Sequence, residues 1–272
     1  MADLELNTEL ARTIIAHERI NFVAWASAIR DVQGNPYGGQ VQQFGKATVI
    51  LNRQFNAAIF NRVFEITYED RHHIPAILDL FRENGVRPMF DISPYGIAPY
   101  SAGDNILRVL AKHGLYHGGF HQMIYARPTA DVPATPAHIQ ISEVTAPDSE
   151  DGVDFVRIHE WYAGAGNGRA IQLLIGHPEY TCYLARIDGQ AAAIGLLHVN
   201  SGVGSMATGI THADFRNRGC QTALLWRRLA DAAQKGCHMM VSQCQPGSSS
   251  QNNQLRAGFK IAGTKVWWTT PE

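Results

Sequence analysis

The stretch DFRNRGCQTALLWRRLADAAQKG, residues 214–236, constrains the fold more than any other part of the chain. Its apolar residues recur on one face of a helix, and Gly219 stands directly before that helix. Gly236 follows the last periodic residues and is a suitable helix end. Strand-like segments, GSMATGI and HMMVSQCQ, flank the stretch. The sequence therefore predicts a glycine-opened helix that begins just after one strand and leads into another.

The rest of the second half alternates short strands with helices. IQISEV alternates like a strand, DGVDFVRIHEWYA is helix-like, and CYLARID and AAIGLLHV form a hairpin predicted to turn at Asp188 and Gly189. Near the end, SSSQNNQLRAG offers serine and asparagine caps to a short helix, and KIAGTKVWWTT closes as a strand. The predicted order is β-α-β-β-β-α-β-α-β, an α/β fold with a mixed sheet of the α+β kind.

A linker-like stretch, RPTADVPATPAH, divides the chain at residues 127–138. It contains three prolines among small polar residues, as expected between compact units, and 272 residues are enough for two domains. We place the boundary near residue 132, so that the predicted domains are 1–131 and 132–272.

The first half repeats part of the element order of the second. Its strand-like segments are VILN, NAAIFNRVFEI, PMFDIS and FHQMIYA, and its helix-like segments are HIPAILDLFRENG and DNILRVLAKHG. AKHGLYHGGF aligns with LRAGFKIAGT, with two glycines five residues apart in each. Duplication of one domain explains both observations. At the junction that corresponds to the glycine-opened helix, the first half has YEDRHHIPAIL, with two acids and no glycine, so we expect no anion site there.

Composition excludes several function classes. The 23 basic and 24 acidic residues give a net charge of −1, so no overall field attracts nucleic acid or an anionic membrane. The opening MADLELNTEL lacks the basic and apolar regions of a secretory signal, and no run of about 18 apolar residues occurs, so we expect a cytoplasmic protein. The four cysteines form no CxxC pair, which predicts buried free thiols rather than a zinc site or disulfides.

The start of the predicted helix is a candidate anion site. A helix N-terminus exposes unpaired backbone N–H groups and the positive end of the helix dipole. Gly219 leaves the approach open, and Arg216 and Arg218 add positive charge, so a phosphate or pyrophosphate fits. The consecutive amides around this point belong to Asn217, Cys220, Gln221 and Thr222. The alternative is that the glycine only allows a tight turn and the arginines are solvated, and spacing alone does not decide between the two.

The same residues carry a family resemblance. RNRGCQTAL, residues 216–224, resembles the pyrophosphate loop of the GNAT superfamily of acyl-CoA-dependent N-acetyltransferases, whose usual form is Gln/Arg-x-x-Gly-x-Gly/Ala. The element order and the closing AGFKIAG, residues 257–263, are also similar to that family. The resemblance covers residues 137–272 and implies acetyl-CoA as co-substrate. It also implies that the first half is a degenerate copy of the same fold, as in tandem members of the superfamily.

Two residues depart from the family's pattern. Gln221 stands where glycine or alanine is usual, so its side chain must point away from the pyrophosphate or hydrogen-bond to the cofactor. A tyrosine four residues before the glycine of the terminal Gly-Phe often serves the family as general acid, and here that position is Gln254. Acyl transfer does not require that acid. The unperturbed pKa of a thiol is about 8.5, so the CoA thiolate is a tolerable leaving group without full protonation.

The resemblance also implies where the remaining site lies. Backbone groups at the end of the preceding strand would hold the pantetheine and polarise the thioester carbonyl. Side chains of the last helix would hydrogen-bond to the departing sulfur, and a base near the strand end would deprotonate the amine. The strand residues are Gly209, Ile210 and Thr211, the helix residues are Ser249, Ser250 and Asn253, and the base candidates are His212, Asp214, His198 and Glu160. Of these we predict His212, Glu160 and Ser250 as catalytic. Trp161 and Tyr162 either line the acceptor pocket or pack in the core.

The predicted function is transfer of an acetyl group from acetyl-CoA to the amine of a small molecule by direct attack on the thioester. A non-catalytic acyl-CoA-binding sensor or scaffold is the alternative from another class, and the missing tyrosine favours it. Peptide or protein N-acetylation is a second enzymatic alternative. The near-neutral charge and the extra domain favour a small acceptor, with no nucleic-acid or membrane partner.

Two further motifs receive no chemical role. The histidines of HGLYHGGFHQ are four residues apart, but the glycines between them break any helix, so no metal site is expected. GAGNGRA, residues 164–170, follows a helix rather than a strand and is predicted to be a flexible loop.

Overall fold

The computed structural model describes residues 4–55, 57–96 and 105–271, which form two compact units. Of the described residues, the N-terminal unit contains 5–55, 57–96, 105–123, 244–246 and 261–271, and the C-terminal unit contains Leu4, 124–243 and 247–260. The last strand therefore belongs to the unit formed by the first half of the chain. The domain boundary proposed near residue 132 lies in the coil between two strands, and it stays a prediction.

Helices and strands alternate along both units. In chain order they are α1 Thr8–Arg30, β1 Gly39–Phe44, β2 Ala47–Asn52, β3 Arg62–Phe64, α2 Ile74–Glu83, β4 Met89–Ile92, α3 Ile106–Lys112, β5 Tyr116–Ala126, β6 Ile139–Val144, α4 Glu150–Ala163, α5 Gly168–Gln172, β7 Tyr180–Ile187, β8 Gln190–Asn200, β9 Val203–Thr211, α6 Cys220–Gln234, β10 Met239–Cys244, α7 Ser249–Arg256 and β11 Lys260–Thr269. Single 3-10 turns occur at Ala58–Phe60, Glu69–His73, Pro94–Gly96 and Ala213–Phe215.

Both units have the same strand-helix-strand core. In the C-terminal unit, β6, β7, β8 and β9 pair antiparallel in that order, and α6 then leads to β10, which lies parallel to β9. In the N-terminal unit, β1, β2 and β3 pair antiparallel, and α2 leads to β4, which lies parallel to β3. In this unit β11 pairs antiparallel with β4. The α/β class and the mixed sheet are therefore as predicted, and the shared topology agrees with a duplicated domain.

Several local predictions for the second half are confirmed. The β7–β8 hairpin turns at Asp188 and Gly189, which have φ values of 51° and 78°, as a tight hairpin turn requires. Ser248 caps α7, since its hydroxyl accepts a hydrogen bond from the Gln251 amide at 3.1 Å. All four cysteines are buried and free.

The sequence predicted a flexible loop over the glycine-rich residues 164–170, but part of this segment is helical. Its second part begins the short helix α5. Ala170 and Ile171 of this helix are fully buried, so packing of two apolar side chains stabilises a turn that the glycines alone do not favour.

Two predictions for the first half are wrong. The predicted element order omitted α1, whose buried face includes the polar residues His17 and Asn21, which blur its apolar stripe. NAAIFNRVFEI was predicted as one strand, but the structure has a 3-10 turn and the short strand β3 there, and its first residue lies outside the described residues. Asn61 explains the break, because its buried amide bonds the backbone of Asn52 and Phe55 at 2.9 Å and 2.8 Å.

The buried histidine His159 of α4 makes stability depend on pH. Burial lowers the pKa of His159 to about 4, whereas an unfolded histidine titrates near about 6.5. Between these two pH values the histidine is protonated in the unfolded chain but neutral in the folded one. The contribution of His159 to the free energy of unfolding is therefore complete above about pH 6.5 and decreases as the pH falls toward 4. At pH 5 we expect His159 to account for a loss of about 2 kcal/mol in the free energy of unfolding.

Urea unfolding at pH 7.5, 6 and 5 measures this dependence. His159→Gln should reduce the slope without abolishing it, because burial also lowers the pKa of His121 to about 4. His238→Gln, at an exposed histidine of the same unit, should leave the slope unchanged. Equal slopes in His159→Gln and the wild type would contradict the assignment.

No helix in the described ranges is both long and apolar enough to cross a membrane.

Candidate functional site

The loop before α6 has the geometry of an open helix start. β9 ends at Thr211, the 3-10 turn follows, and residues 216–219 are exposed up to the first residue of α6. Gly219 is the N-cap with φ 89° and forms no side-chain cap. Because no side chain covers the first amides of α6, they are available to an anion. An added Cβ would meet only Ile139, at 3.5 Å, so it is the left-handed φ that favours glycine here.

The two arginines of the loop have different surroundings. Arg218 pairs with Asp188 at 3.2 Å, so part of its charge is already compensated. Arg216 lies with its guanidinium carbon 5.6 Å from the ring centre of Trp161. Both are exposed, and Arg216 therefore contributes more of the positive potential at the helix start.

A cleft opens where β9 and β10 separate. Their parallel pairing covers Val203–Ser205 and Met239–Val241. Beyond it lies a cleft of about 120 Å³, bounded by α6 and α7 on its other sides. The lining residues are Met206, Ala207, Gly209, Gln221, Leu225, Arg228, Ser242, Gln243, Ser250, Asn253 and Gln254.

Four of the predicted site residues share this cleft, namely Gly209, Gln221, Ser250 and Asn253. The side chain of Gln221 turns toward α7, where its oxygen accepts a hydrogen bond from Asn253 at 2.9 Å. Gln221 therefore links the first turn of α6 to the cleft.

The other predicted residues lie outside the cleft lining. Ile210 is buried, Thr211 pairs with Ala193 of β8, and Ser249 is the exposed first residue of α7. Glu160 lies on α4 beside α5.

His212 lies beyond the end of β9, in a separate depression. Its ring is 4.4 Å from that of Trp161, and its Nδ1 is 3.6 Å from Asp214. Both Trp161 and His212 line this depression with Phe215, whereas Tyr162 is an exposed side chain of α4. From Ala207, which lines the cleft, His212 is five residues away, or about 16 Å along an extended strand.

Polar atoms on the cleft wall lack partners within the described residues. Gln254, at the position of the family's tyrosine, is 6% exposed, and its Nε2 donates to Ser250 at 3.1 Å. The Oε1 atoms of Gln254 and Gln243 are buried without a hydrogen-bond partner in the described part of the chain. A buried amide oxygen without a donor is costly, so the cleft is suited to a ligand that supplies N–H groups.

Sequence reasoning missed the part of the site that depends on strand register. Leu196 of β8 faces Thr208 of β9, but Leu197 faces Met206, so Ala207 is an extra, bulged residue. Met206, Ala207 and Arg228 all line the cleft. No signal in the sequence marks the bulge. Arg228 was also missed, and the only signal that could have found it is its position as a charged residue on the apolar face of α6.

Another predicted base candidate, His198, lies on β8 outside the cleft lining. His198 is fully buried and faces Ser205, the last residue of β9 that pairs with β10. Its Nε2 is 3.6 Å from a Glu179 carboxylate oxygen, and its ring is 4.8 Å from that of Tyr180. Histidine with a neighbouring carboxylate is a common arrangement for accepting a proton.

No cluster of three or more His, Cys, Asp or Glu side chains among the described residues is arranged to hold a metal ion.

Known structures share this fold. A GCN5-related N-acetyltransferase from Kribbella flavida matches with a TM-score of 0.61 over 92% of this chain and 96% of its own, at 15% identity. A tandem GNAT protein from the clavulanic acid biosynthesis pathway matches with a TM-score of 0.58 over 86% of this chain and 80% of its own, at 16% identity. A GCN5-related N-acetyltransferase from Sphaerobacter thermophilus matches with a TM-score of 0.54 over 82% and 80%, at 14% identity.

The sequence itself matches no family model and no curated protein. The chain has the fold of the GCN5-related N-acetyltransferases, and the resemblance inferred from RNRGCQTAL and the element order is confirmed at the level of fold.

Proposed function

We propose that this protein transfers an acetyl group from acetyl-CoA to the amine of a small molecule. Both the binding of acetyl-CoA and the transfer of the acetyl group take place in the C-terminal unit. The observation that carries the proposal is the continuity between the helix start and the cleft. Gln221 belongs to the first turn of α6 and also lines the cleft, so an anion held at the helix start would place its attached chain between β9 and β10.

The residues present fit acetyl-CoA. Its pyrophosphate matches the uncapped amides of α6 and the charge of Arg216. Its pantetheine arm has two amide N–H groups, and the cleft offers the unpartnered oxygens of Gln243 and Gln254. The loop residues predicted to bind the cofactor, at positions 216–222, keep that role in the proposal.

The reaction would proceed by direct attack. The amine lone pair forms a bond to the thioester carbonyl carbon, the carbon–sulfur bond breaks, and the electron pair leaves with sulfur as the CoA thiolate. The nitrogen loses its proton to a base. Ser250, which accepts a hydrogen bond from Gln254, lies in the cleft as a donor for the thiolate, in place of the family's tyrosine.

For the base we favour His198 over the other candidates. Ser205, which faces His198, is two residues from the bulge, about 7 Å along the strand, and the step across the ladder to His198 adds about 5 Å, compared with about 16 Å along the strand for His212. His212 and Glu160 stay predictions. We expect His198→Gln to lower kcat/KM by about 100-fold and to remove the acidic limb of its pH profile, and His212→Gln to change kcat/KM by less than about threefold.

Steady-state rates between pH 5.5 and 9 measure both variants, with the acetyl-CoA Kd and the melting temperature as checks on folding. A larger loss in His212→Gln than in His198→Gln would return the base to His212.

A non-catalytic acyl-CoA sensor is the second candidate, and Gln254 in place of tyrosine favours it. Calorimetric titration with acetyl-CoA tests binding, and thiol release with a panel of small primary amines and, separately, peptides tests transfer. Binding with amine-dependent thiol release supports the transferase. Tight binding without release from any amine favours the sensor, and release with peptides alone favours peptide acetylation.

A further inference from the structure

Arg228 of α6 is a buried cation in the wall of the cleft. The residue is 4% exposed, and within the described part of the chain no carboxylate forms an ion pair with it. Burial lowers the pKa of Arg228 to about 10, which still leaves it charged at neutral pH. A buried charge is costly unless hydrogen bonds or an ion pair compensate for it. The groups that Arg228 contacts therefore indicate its role.

The contacts of Arg228 are backbone carbonyls. Its Nε donates to Leu224 at 3.0 Å within α6. Its Nη1 donates to Leu196 of β8 at 3.2 Å and to Thr208 of β9 at 2.9 Å. One nitrogen thus ties two strands together, and it does so at the pair that directly precedes the bulge at Ala207.

Two glycines make room for this guanidinium. Gly195 of β8 and Gly209 of β9 face each other across the ladder. A Cβ on Gly195 would lie 3.3 Å from the guanidinium carbon, and one on Gly209 would lie 3.5 Å from Nη2. The absence of side chains at these two positions therefore leaves room for the guanidinium against the sheet.

Nη2 is the remaining part of the guanidinium. Within the described residues it donates to no acceptor, and Arg228 lines the cleft. Nη2 lies beside Gly209, which also lines the cleft.

We propose that Arg228 is a positioning residue that fixes the Ala207 bulge, and with it the backbone group that polarises the thioester carbonyl. This inference rests on the proposed function. The bulge takes the backbone of Ala207 out of the ladder with β8 and leaves it at the cleft. Carbonyl polarisation depends on donors that are held in place before the reaction, and Arg228 holds the two carbonyls that border the bulge.

Arg228→Met keeps the length of the side chain and removes its donors. We expect kcat to fall by about 100-fold, as for a misplacement of about 1 Å, while the Kd for CoA stays within about threefold. The carbonyl stretch of bound [1-¹³C]acetyl-CoA, followed by infrared spectroscopy, should shift back toward its frequency in solution. Arg227→Met, at the neighbouring arginine that pairs with Asp231, is the matched control and should leave the stretch unchanged.

Gly195→Ala is a second variant for the case that Arg228→Met does not fold. It keeps the charge but pushes the guanidinium by a few tenths of an ångström, so we expect a partial return of the carbonyl frequency. A bound carbonyl stretch that is the same in wild type, Arg228→Met and Gly195→Ala would overturn the positioning role. So would an unchanged kcat in Arg228→Met.

The infrared readout separates this inference from the proposed function, because it needs no acceptor. Acyl transfer would be contradicted if the wild-type protein polarised the carbonyl but released no thiol with any amine. In that case the Arg228 variants would still show whether the bulge depends on Arg228. Wild-type protein that does not bind acetyl-CoA would overturn both.

Discussion

Gly219→Asp should abolish measurable acetyl-CoA binding while leaving the fold intact. The new carboxylate would stand at the uncapped start of α6, where it would occupy the amides expected to hold the pyrophosphate and repel its charge. The substitution also places a side chain at φ 89°, which costs about 1–2 kcal/mol of stability. Calorimetric titration and acetyl-CoA-dependent thermal stabilisation both measure the loss.

Gly236→Asp is the matched control for that experiment. Gly236 follows the other end of α6, also has a left-handed φ, at 74°, and has open space around an added Cβ. The control therefore introduces the same strain and charge away from the anion site, and acetyl-CoA binding should be unchanged. Gly219→Ala separates strain from charge, with a loss of less than about tenfold expected. Binding by Gly219→Asp within threefold of the wild type would disprove the site.

The candidate anion site could be proposed from the sequence because all of its parts are adjacent in it. One glycine, two arginines and the first turn of a helix define it without any knowledge of the tertiary structure. The cleft could be predicted only in part. Gln221, Ser250 and Asn253 were named from a motif, but the bulge at Ala207 is a relation between two strands, and no local pattern reports a one-residue shift in register.

The role of Arg228 likewise could not be predicted from the local sequence. A charged residue on the buried face of a helix looks like an error in the apolar pattern until the facing strands are known. Gly195 and Gly209 are 14 residues apart in sequence by their numbers, and only the β8–β9 register places them opposite each other. The element order of the second half, by contrast, depends on local periodicity and turn residues, which is why it was predicted almost completely.

For the last strand, the position in the sequence does not predict the unit in which the strand packs. KIAGTKVWWTT was predicted as the closing strand of the second half, but residues 261–269 belong to the N-terminal unit. Lys265 of this strand has a side chain only 4% exposed and contacts Glu18 and, at 3.1 Å, Asp91. Arg62 also contacts both carboxylates, so two cations and two anions form one buried cluster.

Charge balance within this cluster decides what a substitution costs. Burial lowers the pKa of Lys265 to about 8, so the ammonium is still present at neutral pH. The side chain of Glu18 is 14% exposed, and the effect of partial burial on its pKa is outweighed by the charges of Lys265 and Arg62, which lower that pKa. Glu18 is therefore ionised, and both carboxylates depend on the two cations for their ion pairs.

Lys265→Met should be the most destabilising single substitution considered for this chain. It would leave Glu18 and Asp91 sharing one guanidinium in a buried site, and breaking a buried ion pair costs about 3–5 kcal/mol. Lys112→Met, at an exposed lysine of the same unit, should change the free energy of unfolding by less than about 0.5 kcal/mol. Urea unfolding at pH 7 measures both.

The double variant Lys265→Met with Glu18→Gln tests the reason for the loss. It removes one charge of each sign, so Arg62 and Asp91 remain as a matched pair, and stability should recover by at least about 1 kcal/mol relative to Lys265→Met alone. If the lysine mattered only through the packing of its methylene groups, methionine would replace it at little cost and the second substitution would lower stability further. Recovery therefore identifies charge balance, rather than the volume of one side chain, as what holds the last strand in the N-terminal unit.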